Sequence, residues 1–249
     1  MNAQCQNQVK ANILQALGHA DDSIRGTAAT LISQYTAAFP LGQWRDLLTH
    51  INGVVEHPAE VGSVAVLLGA LSALKQICED SLEKLFMECD RTVLEHLLSH
   101  VLRLLAHPSN AVRLLAVRTF TLTLWMLDGS GGTSRVSVHS FLGPFISGIG
   151  ALANDSDAAI RLEVCRAVTE LCSVHLRVLG SHLEPMTAFM LSKLEDSSAP
   201  VVMEACDMLR TLASRSRKSP AMNLLVAQLP RLVPLLIRLM KMTEVCPFS

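Results

Sequence analysis

The sequence predicts an all-α chain wound as a right-handed α-α superhelical solenoid of short repeats. Three observations carry this. First, four segments share one layout, a turn rich in Asp, Ser, Asn or Pro followed by a helix: ADDSIRGTAATLI, HPSNAVRLLAVRTF, NDSDAAIRLEVCRAV and DSSAPVVMEACDML. Their lead residues Ile24, Val112, Ile160 and Val201 are 88, 48 and 41 residues apart, and 88 is twice 44. Second, small or apolar residues recur at offsets 4, 7, 8 and 11 from the lead, which is one face of a helix. They are Ala28, Leu31, Ile32 and Tyr35 in the first copy, Val164, Ala167, Val168 and Leu171 in the fourth, and Ala205, Met208, Leu209 and Leu212 in the fifth. The third copy is weaker, with Ala116, Thr119, Phe120 and Thr123. Third, half of the 249 residues are apolar but only 4% are aromatic, a composition that favours helices over strands.

A period of about 40–47 residues is that of HEAT and armadillo repeats. The copy missing from the series lies between 41 and 80; its second helix, about 61–78, keeps Val64, Leu67, Leu68, Leu71 and Leu74 but lacks the arginine that follows the other leads. Each second helix follows a first helix, at about 9–17, 44–55, 93–106, 141–153 and 183–194. A last first-type helix, about Leu224–Met242, stands without a partner. The reading is one HEAT solenoid over 1–242, with repeats near 1–40, 41–88, 89–134, 135–176 and 177–218, a half repeat 219–242 and an irregular tail 243–249. Gly129–Ser134 reads as a flexible connector and Ser214–Ser219 as a short basic turn.

Charge excludes some partners. The formal net charge is -1, so no global field draws the chain to nucleic acid or anionic lipid. Arg215, Arg217 and Lys218 sit in one turn without aromatic neighbours, too little for a nucleic-acid patch. Met1–Lys10 is polar, unlike a signal peptide, and the apolar run 224–240 is cut by Gln228, Arg231 and two prolines, so no membrane insertion is expected. The seven cysteines include no Cys-x-x-Cys pair and read as reduced thiols. His96 and His100 stand one helical turn apart, but no third ligand completes a metal site. No phosphate-binding glycine loop and no nucleophile–base pair is found, so neither cofactor nor enzymatic activity is expected.

Shorter motifs then resemble one family. Trp44-Arg-Asp-Leu-Leu48 resembles the W-P-D-L-L that opens a repeat in transportin-class (karyopherin-β2) nuclear import receptors, and Ala73-Leu-Lys-Gln-Ile-Cys-Glu-Asp-Ser81 resembles their A-L-Q-K-I-C-E-D-S. Val164-Cys-Arg-Ala167, Glu204-Ala-Cys206 and Leu229-Pro-Arg-Leu232 match further along in the same order. The likeness runs from about Val9 to Met242. It implies an internal stretch of the N-terminal arch, about the third to the eighth repeat, ending before the family's long acidic loop. It also implies a receptor that shuttles between cytoplasm and nucleus and binds the GTP form of Ran, with signal-bearing cargo and nucleoporins bound by the full-length receptor.

Candidate residues follow. Arg25, Arg113 and Arg161, at the second position of their repeats, are assigned to the turns, with Asp21, Asp22, Asp155 and Asp157 as partners. Offsets 6 and 9 of the second helices point away from the buried stripe, toward the concave surface, and hold Arg118, Arg166, Asp207 and Arg210. Between Glu79 and Glu95 six acids face two bases; this run is placed at the end of a second helix and in the following loop. The Ran surface that the family grips is basic, so Glu79 and Asp80 are the first candidates for a Ran contact. The alternative reading of the whole chain is a static HEAT scaffold, such as a phosphatase regulatory subunit.

Overall fold

The computed structural model describes residues 3–59, 62–127, 136–214 and 220–245. Among them no strand is found, and eleven α-helices follow one another: α1 (Ala3–Ala16), α2 (Asp22–Ala38), α3 (Arg45–Glu56), α4 (Val64–Glu88), α5 (Arg91–Arg103), α6 (Asn110–Thr123), α7 (His139–Ala151), α8 (Ala158–Val174), α9 (Leu183–Lys193), α10 (Ala199–Ser214) and α11 (Pro220–Val245). The connector Gly129–Ser134 and residues 215–219 of the basic turn, with Arg215, Arg217 and Lys218, lie outside the described residues. The chain resolves into two compact units, Met1–Glu163 and Val164–Ser249.

Within the first unit, second helices stack on second helices and first helices on first. Helix α4 packs between α2 and α6, while α3 packs on α5 and α5 on α7. The cross-links give direction and period. Ser33 of α2 bonds to Gln76 and Asp80 of α4, and Lys84 of α4 donates to the carbonyls of Thr36 and Ala37. Residue numbers rise together, so α2 and α4 run parallel, and the partners are 43 to 48 positions apart, one repeat. The core is largely apolar: Ile51, Leu71, Ile77, Leu97, Val112, Phe120 and Phe145 are fully buried, and the Phe120 and Phe145 rings lie 4.5 Å apart. Helix α4 passes so close to the end of α1 that a Cβ on Gly69 would lie 1.8 Å from the Leu17 carbonyl oxygen, which explains a helix-weakening residue mid-helix. In the second unit α10 packs on α9 and α11, and α11 also touches α9.

The turn arginines repeat in register. Arg25 donates to the carbonyls of His19 and Ala20, Arg113 to those of His107 and Pro108, and Arg161 to those of Asp155 and Ser156, in each case six and five residues back. Each therefore satisfies carbonyls of the turn that would otherwise lack partners. Asp22 pairs with Arg25 and Asp155 with Arg113. Asp21 and Asp157 instead accept backbone amides at the starts of α2 and α8.

Three expectations are corrected. The stripe of α6 and α10 is buried as read, but in α2 Ile24 and Leu31 are 40% and 44% exposed, and Ser33 and Thr36 are buried instead. Helix α6 has a second helix on its N-terminal side; α2 has none among the described residues, so the edge at offsets 0 and 7 stays bare. Next, α4 does not stop near Cys78. It continues to Glu88 through a break at Ser81 (φ −145°, ψ 28°), so much of the acidic run lies on a helix rather than in a loop. Finally, α11 runs to Val245, past the expected end at Met242, and it carries Pro230 and Pro234 within it. The stretch Asn223–Met240 is, by length and composition, apolar enough to cross a membrane. Here it carries Arg231 and Arg238 and packs on α9 and α10.

Candidate partner surface on the second helices

The six candidate residues are on second helices, and they divide by how firmly the fold already holds them. Glu79 is 39% exposed and its Oε2 accepts from Lys75 Nζ at 2.6 Å, a pair within one turn of α4. Asp80 is exposed but anchored: its Oδ2 lies 2.5 Å from Ser33 Oγ. The same hydroxyl lies 3.0 Å from the Gln76 carbonyl oxygen, and a serine has one proton to give. Ser33 can therefore release Asp80 to a cationic partner and remain hydrogen-bonded to Gln76.

The rest of the acidic run is largely structural. Glu88 accepts from the Leu41 amide at 2.7 Å, Asp90 caps α5 by accepting from Thr92 and Val93, and Glu95 pairs with Arg91. Glu83 is exposed on α4. The negative field of this stretch is thus spread over capping and cross-linking roles, with Glu79, Asp80, Glu83, Glu88 and Asp90 all exposed.

The arginines at offset 6 meet glutamates of the next repeat. In the first unit Arg118 Nε lies 3.0 Å from Glu163 Oε1, a carboxylate only 6% exposed. In the second unit Arg166 Nε lies 3.8 Å from Glu204 Oε2, whose other oxygen accepts from Thr169 Oγ1 at 2.7 Å. Arg210 pairs with Asp207 on its own helix at 3.0 Å, and both side chains are more than half exposed. Sequence reasoning missed Glu163, Glu204, Thr169 and Ser33. The signal for the glutamates was present: Glu163 and Glu204 each stand three residues after a lead, Ile160 and Val201.

Other chemistry is accounted for by burial. His96 and His100 lie with their rings nearly parallel, 6.4 Å apart. His100 Nδ1 is buried without a partner, and burial lowers the His100 pKa. Among the described residues no group of three or more His, Cys, Asp or Glu is placed to hold a metal ion. Burial, and then the charge of Glu79, pushes the Cys78 thiol up to about 12; burial and Asp90 push Cys89 up to about 11. Such thiols stay protonated at neutral pH and are poor nucleophiles.

No family model matches the sequence. Curated relatives do. The chain is 29% identical to mouse Transportin-1 over 237 residues, 95% of its own length. It is 25% identical to the Transportin of Dictyostelium discoideum over 98% of its length, and 25% identical to Importin subunit beta-2 of Schizosaccharomyces pombe over 92%. It spans about a quarter of the length of these relatives. Among solved structures, Kap95p with RanGDP superposes with a TM-score of 0.80 at 17% identity, covering 100% of this chain and 30% of that one. An importin β crystal structure gives 0.76 at 16% identity, covering 95% and 28%. A designed armadillo repeat protein in complex with the peptide (KR)4 gives 0.63 at 18% identity, covering 91% and 90%. Over nearly its whole length, then, this chain is related in sequence to the transportins and has the helical-repeat fold of importin β.

Proposed function

We propose that the chain acts by binding, as a repeat segment of a nuclear import receptor of the transportin type, and that its second-helix face contacts Ran. The observation that carries this is the ordered likeness to transportins over 95% of the chain, together with an outward acidic group on α4 at the motif Lys75-Gln-Ile-Cys-Glu-Asp-Ser81. Glu79 and Asp80 are the first contacts with basic side chains of Ran, and Arg118, Arg166, Asp207 and Arg210 extend the face within their own units. The mechanism is non-enzymatic: partner exchange is coupled to flexing between repeats, with cargo and nucleoporins engaged by the longer receptor in cytoplasm and nucleus. The repeat division given above, one solenoid over 1–242, is part of the same proposal.

The test is titration of the chain with Ran loaded with GTP or GDP, at low and physiological salt. We expect tighter binding to the GTP form, and weaker binding on Glu79→Lys, chiefly through a slower association rate that salt masks. Equal or absent binding in both nucleotide states would favour the static scaffold.

A further inference from the structure

One tryptophan of this chain is in the core and the other is in water: Trp44 is 4% exposed and Trp125 is 65% exposed. Burying an indole is among the largest apolar gains that a single side chain makes, and Trp125 forgoes it. Packing between repeats does not call for an indole there. Trp125 stands 13 positions after the lead Val112, and the residues at that offset from Ile24, Ile160 and Val201 are Ala37, Ser173 and Ser214. The other repeats thus close on a small residue at this place. The backbone fixes where the indole is presented. Leu124, the residue that ends α6, keeps helical angles (φ −55°, ψ −33°), and the amides of Met126 and Leu127 still donate to the Thr123 carbonyl. Trp125 therefore lies about two helical turns past Arg118, on the same side of α6.

Charge identifies what this indole takes. Cross-links join residues 43 to 48 positions apart from α2 to α4, and Arg118 of α6 meets Glu163 of α8, 45 positions on. Helices α4 and α6 pack side by side between these pairs, and the same step back from Trp125 reaches 77–82 of α4. That stretch holds Glu79 and Asp80, with Glu83 just after it, all three exposed. The bases of the same region are committed: Lys75 to Glu79, Lys84 to the carbonyls of Thr36 and Ala37, and Arg118 to Glu163. A π face and a net negative stretch therefore stand level on two adjacent second helices. We propose that Trp125 is the aromatic anchor of this face and receives an arginine side chain of the partner. A guanidinium is planar, so it stacks on the indole and at the same time donates to the carboxylates beside it. A lysine ammonium is a compact, strongly hydrated charge with no flat face to stack. The inference rests on the reading that this face meets Ran. It adds the residue that holds the partner in place, where the acids supply the attraction.

Titration of the full chain with GTP-loaded Ran tests this, with circular dichroism and thermal melts as the check on folding. Trp125→Ala is expected to lower the affinity about tenfold or more, chiefly through faster dissociation and equally at low and physiological salt. Its melting temperature is expected to stay at the wild-type value, because the side chain is mostly in water. Fluorinated tryptophans weaken the π face with little change in size. Incorporated on a Trp44→Phe background, so that only position 125 carries them, they are expected to lower the affinity stepwise as fluorines are added. Unchanged affinity of Trp125→Ala, with Glu79→Lys still weakened, would overturn the inference and leave the Ran reading standing. A loss on Trp125→Ala with a flat fluorine series would overturn the arginine and leave an apolar contact. No binding by the wild-type chain in either nucleotide state would remove the Ran reading, and this inference with it.

Discussion

Helices α2 and α6 are the same element in two settings. Both open on a turn whose carbonyls are held by an arginine, and both carry a small residue at offset 4, Ala28 and Ala116, and a large buried one at offset 8, Ile32 and Phe120. They differ at offsets 0 and 7, closed in α6 and open in α2, and in the reach of the arginine. Arg113 also binds Asp155 of the following repeat, through two nitrogens at 3.2 and 2.8 Å, with both side chains nearly buried. Arg25 stays within its own turn, on the His19 and Ala20 carbonyls and on Asp22, which faces water. A repeat's stripe is thus a potential for burial, and its neighbours decide how much is realised.

The arginines separate the two settings most. Arg113→Ala strands the buried Asp155 carboxylate and two turn carbonyls, and about 3–5 kcal/mol of stability is expected to be lost. Arg25→Ala loses the same carbonyl bonds but leaves its acid in water, and about 1–2 kcal/mol is expected. Chemical denaturation of the two variants checks the difference; equal losses would mean that the inter-repeat bond adds nothing. Next come the lead residues. Val112→Ala removes fully buried methyls and is expected to cost about 2 kcal/mol, whereas Ile24→Ala, though a larger truncation, is expected to cost less than about 1. Smaller again is Thr119→Val. The Thr119 hydroxyl is buried without a hydrogen-bond partner, so its removal is expected to be neutral or to stabilise by about 1 kcal/mol.

The smallest effect is set by pH. Burial lowers the pKa of His50 and of His100 below the ordinary value of 6.5. Between 6.5 and the lowered values the unfolded chain binds protons that the folded one refuses. Stability is therefore expected to be level above about pH 6.5 and to fall as the pH drops through that window. Replacing both histidines by glutamine is expected to flatten the slope, as thermal melts between pH 5 and 7.5 would show.

What was legible in the sequence follows the same division between local and neighbouring influence. Helix order, the burial of Val201 and Ala205, and the roles of Arg25, Arg113 and Arg161 could be read because spacing within one repeat determines them. Asp80 and Glu163 could not, because their partners Ser33 and Arg118 belong to the preceding repeat, 47 and 45 residues earlier, and the parallel stacking that joins them is not written in either segment. Leu31 was misread for that reason too: it fits the stripe of its own helix, and no second helix among the described residues covers it. The continuation of α4 past Cys78 was hidden by the acidic residues after it, which look like a loop and are in part outward groups on a broken helix.

The measurement that bears most directly on the proposed binding face is amide hydrogen exchange of the chain with and without GTP-loaded Ran. Protection is expected in α4 around Glu79 and Asp80 and around Arg118 in α6, with the first helices α3 and α5 unchanged. Protection confined to α3 and α5, or none at a saturating concentration of Ran, would contradict it.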